Sequence, residues 1–156
     1  MSVTTQRRII ETLYPPSLFS PSIANHLGPQ DARIVVAELI EGLTDTPKHI
    51  SAKYFYDDVG SALFEEITNL PEYYPSRVER SILNEVASEL MKDVVDTDIV
   101  ELGSGDCSKI SIFLETMTVQ RLSTLRYVPV DVSKAAIQDA VAALTRRYPQ
   151  LHIAGI

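Results

Sequence analysis

The feature that most constrains the fold is a β-prone run that is stopped by glycines and turned at once into a helix. Ile99-Val100-Glu101-Leu102 reads as a short buried strand, and Gly103-Ser104-Gly105 ends it. Ile110, Phe113, Leu114 and Met117 then recur at helical spacing over Ile110–Met117. The alternation repeats with Tyr127-Val128-Pro129-Val130-Asp131-Val132 as the next strand, where Pro129 is awkward because a central strand needs its N–H. Ser133 caps a helix carrying Ala136, Ile137, Ala140, Val141 and Leu144, which closes near Tyr148-Pro149. Leu151–Ile156 begins a third strand. This β-α-β-α-β order predicts an α/β fold with a parallel sheet and right-handed crossovers, so residues 96–156 read as part of a Rossmann-like domain.

Upstream the periodicity is helical. Asp31 is a plausible N-cap before Ile34, Val35, Leu39, Ile40 and Leu43, and Gly42 with Thr44–Pro47 ends that segment. Ser61–Thr68 is a second helix, with Leu63, Phe64 and Ile67 on one face. Leu70-Pro71-Glu72-Tyr73-Tyr74-Pro75 breaks the pattern, because closely spaced prolines force a turn. Arg77–Met91 is amphipathic, with Ile82, Leu83, Val86, Leu90 and Met91 along one side. Residues 31–95 are therefore expected to form a helical region. Residues 1–30, with Pro15, Pro16, Pro21 and Pro29, read as an extended arm after a short helix at Arg7–Tyr14.

A strand ending in Gly-x-Gly exposes backbone N–H groups and lets the main chain approach a ligand without a Cβ in the way. The dinucleotide fingerprint requires a further glycine where this chain has Ser108, which weakens a pyrophosphate reading. A glycine turn preceded by an acid, as in Glu101-Leu102-Gly103-Ser104-Gly105, better suits S-adenosylmethionine (SAM), which has no phosphate and carries a positive sulfonium. Asp131, ending the next strand, can accept hydrogen bonds from both ribose hydroxyls. Its distance from Gly105 requires a longish loop at Thr118–Thr124. The competing reading is a tight turn beside a solvated aspartate.

Charge and cysteine usage exclude other classes. Lys plus Arg is 14 against 21 Asp plus Glu, a net charge of −7, so the basic stripe that drives nucleic-acid binding is missing. Cys107 is the sole cysteine, which favours a reducing compartment and a cytoplasmic reading. Its place just before a helix could lower the thiol pKa, but a small buried filler is the expected role. Three scattered histidines give no metal-ligand cluster, and no apolar run has the length of a membrane span.

Four segments stand in order: Lys53-Tyr54-Phe55-Tyr56-Asp57-Asp58-Val59-Gly60-Ser61, Leu63-Phe64-Glu65-Glu66-Ile67-Thr68, Leu70-Pro71-Glu72-Tyr73-Tyr74-Pro75-Ser76-Arg77 and Val100-Glu101-Leu102-Gly103-Ser104-Gly105. Together they resemble the histidine-specific, SAM-dependent Nα-methyltransferases of ergothioneine biosynthesis, from about Ala32 to Ile156. The resemblance implies a class I methyltransferase fold, SAM as cofactor and the α-amine of histidine, or of a related amino acid, as substrate. It places Gly103, Lys109 and Asp131 at cofactor positions, beside Glu101 and Gly105 of the glycine turn, and Tyr73 and Tyr56 at substrate positions. Tyr74 is expected to pack. Methyl transfer from a sulfonium is an in-line displacement that needs alignment and a deprotonated amine. Tyrosine hydroxyls suit the amine, and their ring faces tolerate its growing charge. The resemblance also implies a fold of roughly twice this length, with the residues that select histidine beyond Ile156. The chain is thus expected to be a fragment, a split product or a protein completed by a partner chain or by self-association over its open sheet. The alternative function is a non-catalytic module that retains at most SAM binding.

Overall fold

The computed structural model describes residues 21–26, 28 and 31–156. The expected helix at Arg7–Tyr14 and most of the expected arm lie outside them. The described residues form four strands: β1 (Ser22–Ile23), β2 (Asp98–Leu102), β3 (Arg126–Val130) and β4 (His152–Gly155). They also form six α-helices: α1 (Ala32–Thr44), α2 (Asp58–Thr68), α3 (Pro75–Met91), α4 (Ser108–Leu114), α5 (Val119–Leu122) and α6 (Lys134–Arg147). The sheet order is β1-β4-β3-β2; β2, β3 and β4 pair in parallel as the β-α-β-α-β pattern predicts, and β1 adds a further parallel pairing on β4.

Helix starts follow from capping chemistry. Asp31, Asp57, Thr118 and Ser133 each accept a backbone N–H of the first turn of α1, α2, α5 and α6. Pro75 opens α3 at a position where its missing N–H costs nothing, so that helix begins before the expected Arg77. Asp57 likewise starts α2 earlier than Ser61. The expected loop at Thr118–Thr124 contains α5, because Thr118 caps it and Leu122 is buried beneath.

The core lies between β3, β4 and the inner faces of α4 and α6. Leu114 and Tyr127 are fully buried, and Leu125, Ile137, Ala140, Val141, Leu144 and Ile153 join them. Pro129 is buried in β3 despite its missing donor. The registered β3–β4 pairs are Arg126–His152 and Tyr127–Ile153, so Pro129 falls past them, and its carbonyl still accepts the Ile156 N–H at 2.9 Å. Asp98 and Arg126, opposite each other across β2 and β3, form a paired-fork ion bridge with both distances at 2.8 Å.

Two expectations about burial are corrected. β2 is an edge strand, so Val100 and Leu102 are exposed rather than buried, Leu102 at 80%. On α3 only Leu83, Val86 and Met91 of the expected face are covered, whereas Ile82 and Leu90 are exposed. The two residues of β1, within the stretch read as an extended arm, are extended and pair with Ala154 and Gly155.

Candidate cofactor and amine site

Because β2 and β3 run parallel in register, with Leu102 opposite Val130, their carboxyl ends leave the sheet side by side. Ligands of open α/β sheets bind outside such ends. Past Leu102 the backbone folds over its neighbour: the Gly103 and Ser104 N–H groups both donate to the Val130 carbonyl, at 2.8 and 3.3 Å. That turn holds Gly103 at φ +69° and Gly105 at φ +51°, where an L side chain is strained. A Cβ at either would meet nothing within 4 Å, so the turn presents open backbone to whatever binds there.

Asp131 is half-buried and joined to this turn. Its Oδ2 accepts the Gly105 N–H at 2.9 Å and its Oδ1 accepts the Ser133 N–H at 2.9 Å. An ionised carboxylate has about four lone-pair sites, so two remain for ligand hydroxyls. Glu101 is also half-buried, and its Oε2 accepts the Tyr127 hydroxyl at 2.5 Å. Burial pushes the Glu101 carboxyl above the ordinary range, against the downward pull of the Tyr127 hydrogen bond and the Lys109 charge. Lys109, in the first turn of α4, is paired with Glu79 of α3 at 2.9 Å. Cys107 is buried at φ +56°, and burial pushes its thiol up, so it is the filler expected rather than a reactive thiolate.

The two tyrosines assigned to substrate lie at opposite ends of α2. Eleven residues make that helix about 16 Å long, and no contact joins the two rings among the described residues. Tyr73 is half-buried and meets Phe64 edge-on, with ring centroids 6.0 Å apart at 81°. Its loop is clamped by Arg77, which donates to the carbonyls of Leu70 at 2.8 Å, Tyr73 at 3.3 Å and Pro71 at 2.5 Å. Tyr56 is exposed and follows a 3-10 turn, Ala52–Phe55. That turn is anchored to α1 by Glu38, which accepts from Lys53 Nζ and the Tyr54 hydroxyl, each at 2.5 Å. The Lys53 contact and then the Tyr54 contact hold the Glu38 carboxyl below its ordinary range. Gly60 is required by close approach, since a Cβ there would lie 1.9 Å from the Phe55 carbonyl. Tyr74, expected to pack, is 65% exposed; it precedes Pro75 and is turned out by the start of α3.

Sequence reasoning missed the clamp of Arg77 and the role of Tyr127. The signal for Arg77 was its place directly after the proline-bounded loop. Tyr127 carried no signal, because a strand tyrosine reads as core until its hydroxyl has a partner.

Two half-buried carboxylates flanking an open glycine turn match a ligand that is cationic and carries vicinal hydroxyls. SAM has both properties, and these residues fit it. Among the described residues no group of three or more His, Cys, Asp or Glu could hold a metal, and no helix is long and apolar enough to cross a membrane.

Comparison with known proteins bears on the same segments. The family described as "Histidine-specific methyltransferase, SAM-dependent" matches residues 35–156. The histidine N-alpha-methyltransferase of Mycobacterium tuberculosis is 39% identical over 133 residues, which is 85% of this chain and 41% of that protein. A 4-dimethylallyltryptophan N-methyltransferase of Epichloe festucae var. lolii is 30% identical over 78% of this chain and 36% of its own length. Among solved structures, a selenomethionine-substituted CurJ carbon methyltransferase aligns with a TM-score of 0.46 at 12% identity, over 100% of this chain and 38% of that one. The chain thus spans about two fifths of the curated relatives it matches. With a matching family profile over most of its length, this chain belongs to the histidine-specific, SAM-dependent methyltransferases.

Proposed function

We propose that the chain forms the SAM-binding part, and the tyrosine-bearing flank of the amine site, of an enzyme that methylates the α-amine of histidine. The observation that carries the cofactor reading is the Gly105 N–H bond to Asp131, which draws the glycine turn and the neighbouring strand end into one site. Gly103 and Gly105 would offer backbone, Glu101 and Asp131 acceptors, and Lys109 a cation whose freedom depends on leaving Glu79. Bound there, SAM supplies an electrophilic methyl group on a cationic sulfur. The chain's own contribution is alignment, the largest entropic part of such a displacement. Tyr73, braced by Phe64 and its clamped loop, would accept an amine hydrogen bond, and Tyr56 would close the site from the other end of α2. The amine proton passes to solvent. Histidine is favoured over an indole substrate because identity is higher to the mycobacterial histidine enzyme than to the fungal tryptophan-derivative enzyme.

Calorimetric titration with SAM and S-adenosylhomocysteine tests this directly. Heat with saturable binding is expected, and no heat at millimolar ligand would overturn it. Tyr73→Phe is expected to weaken histidine binding more than SAM binding; equal losses would make Tyr73 a packing residue.

A second reading is favoured by the exposed apolar edge at Val100 and Leu102. In it the chain binds SAM without turnover and needs a partner chain or a second copy over β2. Binding without methyl transfer to histidine, together with association in sedimentation, is the outcome that selects it.

A further inference from the structure

Tyr127 is 0% exposed, yet it sits in the middle of the site's chemistry. Its hydroxyl is 2.5 Å from Glu101 Oε2 and 3.2 Å from Cys107 Sγ. One phenolic proton cannot serve both neighbours, and the carboxylate is the stronger acceptor. The hydroxyl therefore donates to Glu101 and accepts the Cys107 S–H, giving a short relay that ends on the carboxylate. We propose that Tyr127 is a positioning residue for the cofactor site: its hydroxyl fixes Oε2 of Glu101 and leaves Oε1 for the cationic ligand at the glycine turn. This rests on the SAM reading above.

The surroundings make that hydroxyl consequential. Burial drives the Tyr127 phenol and the Cys107 thiol upward, so both keep their protons at neutral pH and act as donors. Glu101 is the only acceptor of charge in the relay. The ionisable groups facing it are Lys109, which favours its charged form, and Asp106 and Glu79, which oppose it. Desolvation opposes the charge most strongly, and the Tyr127 bond is the largest influence that favours it. A phenylalanine would fill the same space and pack equally well, which separates positioning from packing.

The experiment uses the 156-residue chain and its Tyr127→Phe variant, with Tyr148→Phe, another buried core tyrosine, as the packing control. Carboxyl ¹³C NMR follows the titration of Glu101, whose signal is assigned by its loss in Glu101→Gln, and calorimetry follows SAM. In Tyr127→Phe the Glu101 midpoint is expected to move to higher pH. SAM affinity is expected to fall about tenfold at neutral pH, the scale for a hydrogen bond to a charged group, with the pH dependence of binding moving alongside. Tyr148→Phe should change neither. An unmoved midpoint overturns the proposal, and so does a moved midpoint with unchanged SAM affinity. Should Tyr127→Phe not fold, the phenolic proton of the unaltered chain serves instead. It is expected far downfield in ¹H NMR and to return upfield in Glu101→Gln; an indifferent proton overturns the proposal. No heat with SAM from the unaltered chain removes the cofactor reading and Tyr127's cofactor role with it, while the titration still shows whether Tyr127 holds Glu101.

Discussion

Asp131 shows how one residue serves two ends. Its carboxylate accepts N–H groups from Gly105 and Ser133, so it pins the glycine turn to the start of α6 while offering its remaining lone pairs outward. Asp131→Ala removes both roles. We expect SAM affinity to fall by roughly 1.5–3 kcal/mol, the scale for hydrogen bonds to a charged group, with a lowered melting temperature because two N–H donors lose their acceptor. Asp131→Asn keeps one of the two acceptors and sets an NH2 group against the other N–H, so it should lower the melting temperature less than Asp131→Ala while still removing the charge. Calorimetry and thermal melts on the two variants read this out. Unchanged affinity in both would remove Asp131 from the site. The residue type and its strand-end place were legible in the sequence, but its partners were not, because Gly105 is brought to it only by the parallel pairing of β2 with β3.

At the scale of elements, the end of α3 is tied down by a side chain from another helix. Arg121, in α5, donates from Nη2 to the carbonyls of Met91 and Val94, where α3 ends and the chain turns toward β2. The last carbonyls of a helix have no internal partners, and a guanidinium there satisfies them and suits the helix dipole. Arg121→Ala is expected to destabilise the chain by about 1–3 kcal/mol, the penalty for an acceptor left unmade at the Val94 carbonyl, since the Met91 carbonyl keeps the Val94 N–H at 3.2 Å; urea unfolding measures it. Arg121→Lys should recover only part, since a single ammonium lacks the guanidinium's fork. A loss near zero in the alanine variant would mean water replaces the arginine. The segment that holds Arg121 reads as a loop from periodicity alone, because four residues are too few to show a repeat. Pro129 misleads in the opposite direction: its residue type argues against a central strand, yet it lies buried in β3 opposite Glu101 and its carbonyl accepts the Ile156 N–H.

Across the whole molecule, the site makes stability depend on pH. Glu101 has a folded-state pKa raised by burial, so the folded chain holds its proton more tightly than the unfolded chain does. A group of that kind contributes stability that is fully present below the ordinary carboxylate pKa and is lost as pH rises through the raised value. Glu101 therefore contributes less stability at neutral pH than in acid. Glu101→Gln is expected to melt higher than the unaltered chain at pH 7, with the difference shrinking as pH falls below the ordinary carboxylate range, and to bind SAM less well. An equal or lower melting temperature at pH 7 would contradict the burial argument. The apolar surface tells a related story. Ile34 and Ile40 on α1, Leu63 and Phe64 on α2, Ile82 on α3 and Leu102 on β2 are all exposed, although their spacing marks each as part of an inward face. Periodicity reports which side of an element is apolar, and it says nothing of what lies against that side.

The amino-acid sequence by itself determined the alternation of strands and helices, the caps at Asp31 and Ser133, the glycine turn with its flanking acids, and the family. These depend on neighbouring residues, through backbone preference, local hydrogen bonds and repeat spacing. Only the tertiary structure decided that Asp131 reaches Gly105, that Tyr127 holds Glu101, that Lys109 is paired with Glu79 and that Leu102 faces solvent. Each of those depends on which strand lies beside which and on what covers a given face. The reason is physical: hydrogen bonds and burial are made between residues far apart in the chain, and their partners are chosen by packing.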